Sequence, residues 1–215
     1  MTISQELLAS VYLDAKEYVI KMGYAHELDW QVQISFADVT ESQFLGEAAW
    51  VILSSGFREV TVRKYFPLIS EAFLNWESAN AIVQNIQFCK SKGLQGFGNR
   101  RKIDAICTLA ATVSSEGFEK VKKNIRNYGL DYLLSYPYIG PVTGKHLLKN
   151  LGLHIAKPDR HLIRIAEALE FDSAQELCES IEQIVGDSTP EIDLVLWRYA
   201  TLKQNYLGEF SVGWR

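Results

Sequence analysis

Residues 127–167 read NYGLDYLLSYPYIGPVTGKHLLKNLGLHIAKPDRHLIRIAE, and the fold turns on this stretch. It predicts a short helix from Leu130 to Tyr136, a tight turn through Pro137-Tyr138-Ile139-Gly140, and a second helix opened by Pro141. Glycine suits the turn, and proline suits a helix start because its fixed φ matches the first helical residue. Leu147, Leu148 and Leu151 give the second helix one apolar face at helical spacing. A connector ending in Lys157-Pro158 leads to a third helix that begins at Asp159.

Working outward, the chain reads as helical almost throughout. Residues 3–22 repeat apolar side chains (Leu7, Leu8, Val11, Tyr12, Ala15, Tyr18, Val19) with the period of an amphipathic helix. Between His26 and Val39 the alternation of Trp30, Val32 and Ile34 predicts a short strand or an extended crossover. The run from Glu41 to Ser55 is apolar nearly all round, as expected of a helix buried in a lobe. Further helices are expected at 59–75, 78–92, 99–115, 118–127, 173–185 and 190–205, with turns at Gly93, Gly96 and Gly98 and again at Gly129. No repeat or low-complexity segment interrupts them.

The hydrophobic share of 47% and charged share of 22% are those of an ordinary globular protein, and 215 residues suffice for one core or two small lobes. No apolar run approaches the roughly eighteen residues a membrane span needs, and MTISQELL lacks the basic start and apolar run of a signal peptide. Cys89, Cys107 and Cys178 are odd in number and far apart, as expected of buried free thiols in a reducing, cytoplasmic setting. The net charge of −4 hides a polarity along the chain. From Lys90 to Arg164 there are fourteen Lys/Arg against five Asp/Glu, and elsewhere eight against twenty-one. That asymmetry predicts one basic face on an acidic body; solvated basic helix faces are the plainer alternative.

The hairpin Tyr136-Pro137-Tyr138-Ile139-Gly140, followed at the right separation by Asp159-Arg160-His161-Leu162-Ile163-Arg164, resembles the helix-hairpin-helix base-excision DNA glycosylases of the endonuclease III superfamily. The likeness extends to Leu53-Ser54-Ser55-Gly56-Phe57-Arg58-Glu59-Val60 and to Gly98-Asn99-Arg100-Arg101-Lys102 with Ile106, so it covers about residues 40–170 in order. It implies an all-α fold with two helical lobes flanking a DNA-binding cleft, approximately 40–155 (hairpin 130–151) and 1–39 with 156–215. It also implies removal of a damaged or mismatched base from double-stranded DNA; a monomer is the default expectation.

The resemblance assigns roles by position. Amides at the start of the second helix, those of Gly140, Val142 and Thr143, would hold a DNA phosphate, since first-turn N–H groups and the helix dipole attract anions. The carbonyls of Leu134, Tyr136 and Ile139 would face a monovalent cation, Na+ or K+. Tyr138 stands where the family has glycine, and a tyrosine is strained if that position requires positive φ. Lys145, Lys149, Arg100, Arg101 and Lys102 are the expected phosphate contacts, making affinity fall with salt. Phe57 or Arg58 would fill the gap left by a flipped base, Gly56 replacing the family's glutamine there. Trp50, Tyr136, Tyr138 and Trp197 are candidates to stack on the extruded base.

Asp159 is the expected catalytic carboxylate. Breaking an N-glycosidic bond builds positive charge on the sugar, and a carboxylate beside C1′ stabilises it and orients the attacking water. A helix start favours negative charge; by itself, though, a Pro-Asp there is most often only an N-cap. The lysine with which bifunctional members form a Schiff base is replaced by Val142, so a monofunctional glycosylase is expected. Lys145, about 60° round the helix and ~4.5 Å along it, is the remaining amine for a lyase step. The C-terminus TLKQNYLGEFSVGWR lacks the four cysteines of an iron–sulfur form, and the four histidines form no zinc set. Two rivals remain: a non-catalytic DNA-binding module that keeps the hairpin, and a helical protein-interaction domain whose hairpin is coincidental.

Overall fold

The computed structural model describes residues 3–212, which are helical with short connections. The chain divides into two compact units, residues 1–36 with 152–215, and residues 37–151. Helix α1 (Gln5–Val19) starts at Ser4, whose hydroxyl accepts from the Leu7 amide at 3.2 Å. A single π turn over Ile20–Tyr24, with Gly23 at φ 90°, leads into α2 (Ala25–Gln33). This corrects the strand or crossover expected between His26 and Val39: Leu28 and Gln31 turn inward at helical spacing, while Trp30 and Val32 are exposed. Their alternation carries no burial, so it has no strand to stabilise.

The 37–151 unit contains α3 (Glu41–Ser54), α4 (Glu59–Ala72), α5 (Ala79–Gln84), α6 (Ile86–Phe97), α7 (Arg100–Glu116), α8 (Phe118–Tyr128), α9 (Leu130–Leu133) and α10 (Pro141–Asn150). Helix α3 is its centre. Thr40 and Gln43 close a capping box at its start, and Phe44, Leu45, Ala48, Ala49, Val51, Ile52 and Leu53 are all buried. The helix expected over 78–92 is two, broken at Asn85, and the one expected over 130–136 stops at Leu133. Lys122 Nζ ties the entry to α3 by donating to the carbonyls of Ala37 at 2.6 Å and Val39 at 2.8 Å.

The other unit adds α11 (Arg160–Ala168), α12 (Ala174–Val185), α13 (Thr189–Leu202) and α14 (Tyr206–Val212) to α1 and α2. Its core joins Leu8, Tyr12 and Val19 to Leu162, Ile165, Leu177, Ile181, Val195 and Leu196. Arg198 is buried between the rings of Tyr24 (4.3 Å) and Trp197 (4.6 Å) and pairs with Glu27. All three cysteines are buried free thiols. No helix among the described residues is long and apolar enough to cross a membrane.

Candidate nucleic-acid interface

The hairpin turn is built from its own backbone. The Tyr136 amide donates to Leu133 O at 3.1 Å, and Ile139 N–H donates to Tyr136 O at 3.2 Å. Tyr136 and Ile139 are buried, while Pro137 and Tyr138 stand out at the tip. Tyr138 has φ 64°, the left-handed conformation that glycine adopts freely. The strain foreseen for a tyrosine there is therefore present, at about 1–2 kcal/mol. The Thr143 hydroxyl sits under the turn, accepting the Gly140 amide at 2.7 Å and lying 3.2 Å from Tyr138 O. Gly140 N–H is thus engaged within the hairpin. The first-turn amides of Val142 and Thr143, which have no acceptor inside the helix, are the ones positioned for an anion. Gly144 allows α10 to approach α9, because a Cβ there would meet Leu130 Cδ1 at 2.4 Å.

A shallow depression of about 480 Å³ lies beside this turn, lined by Ser55 and by residues 138–143. Ser55 caps the end of α3, and the loop to α4 follows it. Gly56, at φ 76°, turns that loop, and Phe57 is 43% exposed, with Arg58 exposed beside it. The Phe57 ring packs on Phe97 at 5.2 Å.

Lys102 and Lys149, expected as phosphate contacts, are instead buried. Lys102 lies in the first turn of α7, where the helix dipole opposes a cation, and its stem runs inward at the phase of Ile106 and Leu109. Its ammonium donates to the carbonyls of Ile52, of Leu53 (3.2 Å) and of Ser55 (2.7 Å), satisfying the orphan acceptors at the C-terminus of α3. It also lies 5.3 Å from the Phe57 ring centre and 5.2 Å from that of Tyr138. Burial lowers its pKa to about 8, so it remains largely an ammonium at neutral pH. Lys149, on the inner face of α10, lies within electrostatic reach of Glu47 on α3. Glu47 accepts from Asn150 Nδ2 at 2.8 Å, and burial raises its pKa to about 7. Arg100 and Arg101 are exposed at the start of α7, and Lys145 is half-buried on α10.

Tyr136 is a core residue rather than an open stacking platform. Its hydroxyl pairs with that of Tyr132 at 2.9 Å, and burial raises its pKa. Trp50 is half-buried, edge-on to Phe66 at 5.1 Å, with the Arg63 guanidinium 5.8 Å from its ring. Trp197 is occupied by Arg198.

In the other unit Asp159 is the N-cap of α11. Its Oδ1 accepts the amides of His161 at 2.8 Å and Leu162 at 3.1 Å, and Oδ2 takes no protein donor among the described residues. The connector before it is pinned by side chains: Ala156 N–H donates to Gln175 Oε1 at 2.7 Å, and Lys157 N–H to Asp193 Oδ2 at 2.6 Å. His161 turns from the cap to Tyr206, its Nδ1 3.0 Å from the hydroxyl, and burial lowers its pKa. Arg164 is exposed.

Sequence reasoning missed two groups, and both left a signal. Lys102 falls on the apolar phase of α7, and Glu47 is a lone charge inside the apolar run of α3. Each marked a charge, buried for Lys102 and half-buried for Glu47, that must find partners.

No protein-family model matches this sequence, and no curated protein matches it. Among solved structures it is similar to the 8-oxoguanine glycosylase/lyase of Methanocaldococcus jannaschii, determined in complex with 15mer DNA containing 8-oxoguanine. The TM-score is 0.60 at 18% identity, over 88% of this chain and 97% of that one. The fold is therefore that of a helical DNA glycosylase, as the hairpin and its following Asp segment imply.

Proposed function

We propose that this protein is a DNA glycosylase of base-excision repair, cleaving the N-glycosidic bond of a damaged or mismatched base in double-stranded DNA. The observation that carries the proposal is Asp159, on a fold shared with a DNA glycosylase/lyase. Two amides hold one carboxylate oxygen and leave the other without a protein donor among the described residues.

An N-cap is thus compatible with catalysis. The cap fixes the carboxylate, while Oδ2 stabilises the positive charge that grows on C1′ as the bond to the base breaks. The bonding electrons leave with the base, water adds at C1′ and gives up a proton, and an abasic site results. The amides of Val142 and Thr143 grip the phosphodiester backbone, Phe57 or Arg58 fills the gap, and Arg100 and Arg101 add electrostatic attraction. The carbonyls of Leu134, Tyr136 and Ile139 suit a hard monovalent cation, although that of Tyr136 is shared with the Ile139 amide.

Val142 cannot form a Schiff base, which favours hydrolysis alone. The similarity to a glycosylase/lyase makes Lys145 worth trapping. Labelled duplexes carrying a lesion panel, headed by 8-oxoguanine, are incubated with the protein and with Asp159→Asn, and half of each sample is treated with hot alkali. Breaks that need alkali and vanish in the variant support the proposal. Breaks without alkali, trapped by borohydride and lost in Lys145→Met, would replace hydrolysis with a lyase step. Salt-sensitive binding without excision of any lesion would leave a DNA-binding module, and no binding at all a protein-interaction domain.

A further inference from the structure

Lys102 is buried, yet its ammonium reaches several parts of the candidate interface. Its ammonium joins four segments of the 37–151 unit: the C-terminus of α3 through Ile52 and Leu53, the following loop through Ser55 and the Phe57 ring, the first turn of α7 on which it sits, and the hairpin tip through the Tyr138 ring. Capping α3 would need only the carbonyls. The placement of two aromatic faces on the same ammonium is additional: Tyr138 lines the depression, and Phe57 follows Ser55, which also lines it, by two residues. It also accounts for the tyrosine at position 138. Glycine would adopt φ 64° without strain but would offer no ring, whereas the cation–π contact offsets the strain of the tyrosine.

We propose that Lys102 is a positioning residue for base extrusion, holding the Phe57 loop and the Tyr138 hairpin tip at a set spacing before DNA arrives. Resting on the glycosylase proposal, this assigns Lys102 no contact with the nucleic acid. It acts through Phe57 and Tyr138, which are ordered in advance, so that binding energy is not spent on ordering them.

The test uses a lesion duplex with 2-aminopurine beside the lesion, whose fluorescence rises when the base unstacks. Lys102→Met keeps the stem and removes the charge. It is expected to bind undamaged duplex within about threefold of the native protein, because the α10 amides are intact. Its rate of 2-aminopurine unstacking should fall about tenfold, the scale of losing two such contacts. Phe57→Ala should show a similar fall, and the double variant should be little worse than either, because the two act as one device. A native unstacking rate in Lys102→Met, or effects that multiply in the double variant, would overturn the proposal. So would an equal loss of binding to damaged and undamaged DNA, which a merely structural cap predicts. Should Lys102→Met fail to fold, Tyr138→Leu and Phe57→Leu remove the rings while leaving the ammonium on its carbonyls, and the same comparison decides. If the native protein neither binds DNA nor unstacks the base, it is the glycosylase proposal that fails.

Discussion

Replacing Tyr138 by alanine and, separately, by glycine isolates the backbone at the hairpin tip. Both changes delete the ring and with it the contact to Lys102, so the difference between them reports the backbone at φ 64° against the entropy of the unfolded chain. Alanine keeps a Cβ and with it the left-handed cost, about 1–2 kcal/mol. Glycine is free of that cost but loses about 0.5–1 kcal/mol more to the entropy of the unfolded chain. Taking roughly 1.5 against roughly 0.7, the glycine variant should be the more stable by about 0.8 kcal/mol, the reverse of the usual order in regular structure. For a chain of this length that is a melting difference of about 2–3 °C, within reach of calorimetry and of urea titration at matched slopes. An alanine variant as stable as the glycine variant, or more so, would refute the left-handed tip. It would also remove the account of why a tyrosine is tolerated there.

Asp159→Asn should leave the melting temperature nearly unchanged, since asparagine caps helices as well as aspartate, while excision falls at least about a hundredfold; a large loss of stability would instead mark Asp159 as structural. Arg100→Ala and Arg101→Ala should each lower the slope of log affinity against log salt by about one, and Lys149→Met should leave it unchanged because Lys149 is buried. Filter binding from low to high salt measures all three. Glu47 should make stability fall as pH rises. Its pKa is raised from 4.5 to about 7, so between those values the folded state holds a proton that the unfolded state has released. Glu47→Gln, which cannot ionise, should therefore gain on the native protein from about pH 4.5 to about pH 7 in chemical denaturation; parallel curves would show that Glu47 titrates normally.

Much of this molecule was legible one segment at a time. The hairpin could be read because its punctuation is local: Pro141 presets a helix start, Gly140 ends the turn, and Leu147, Leu148 and Leu151 keep one phase. Asp159 could be placed at a helix start for the same reason, and α3 as a buried helix because its apolar side chains leave no polar face. Trp30, Val32 and Ile34 misled because alternation signals a strand only where one face is buried, and here α2 buries Leu28 and Gln31 instead.

The sequence by itself determined the helices, the hairpin and the carboxylate that follows it, since capping, turn chemistry and apolar period act between residues a few positions apart. Only the tertiary structure decided the use of each charge. Arg100, Arg101 and Lys102 are consecutive and chemically alike, yet two meet solvent and the third spans fifty residues to the end of α3. Lys149 and half-buried Glu47, a hundred residues apart, are likewise brought within electrostatic reach of each other. A lysine is a phosphate contact or an internal clamp according to which carbonyls and rings the fold brings to its ammonium, and those partners lie too far along the chain for any local pattern to announce them.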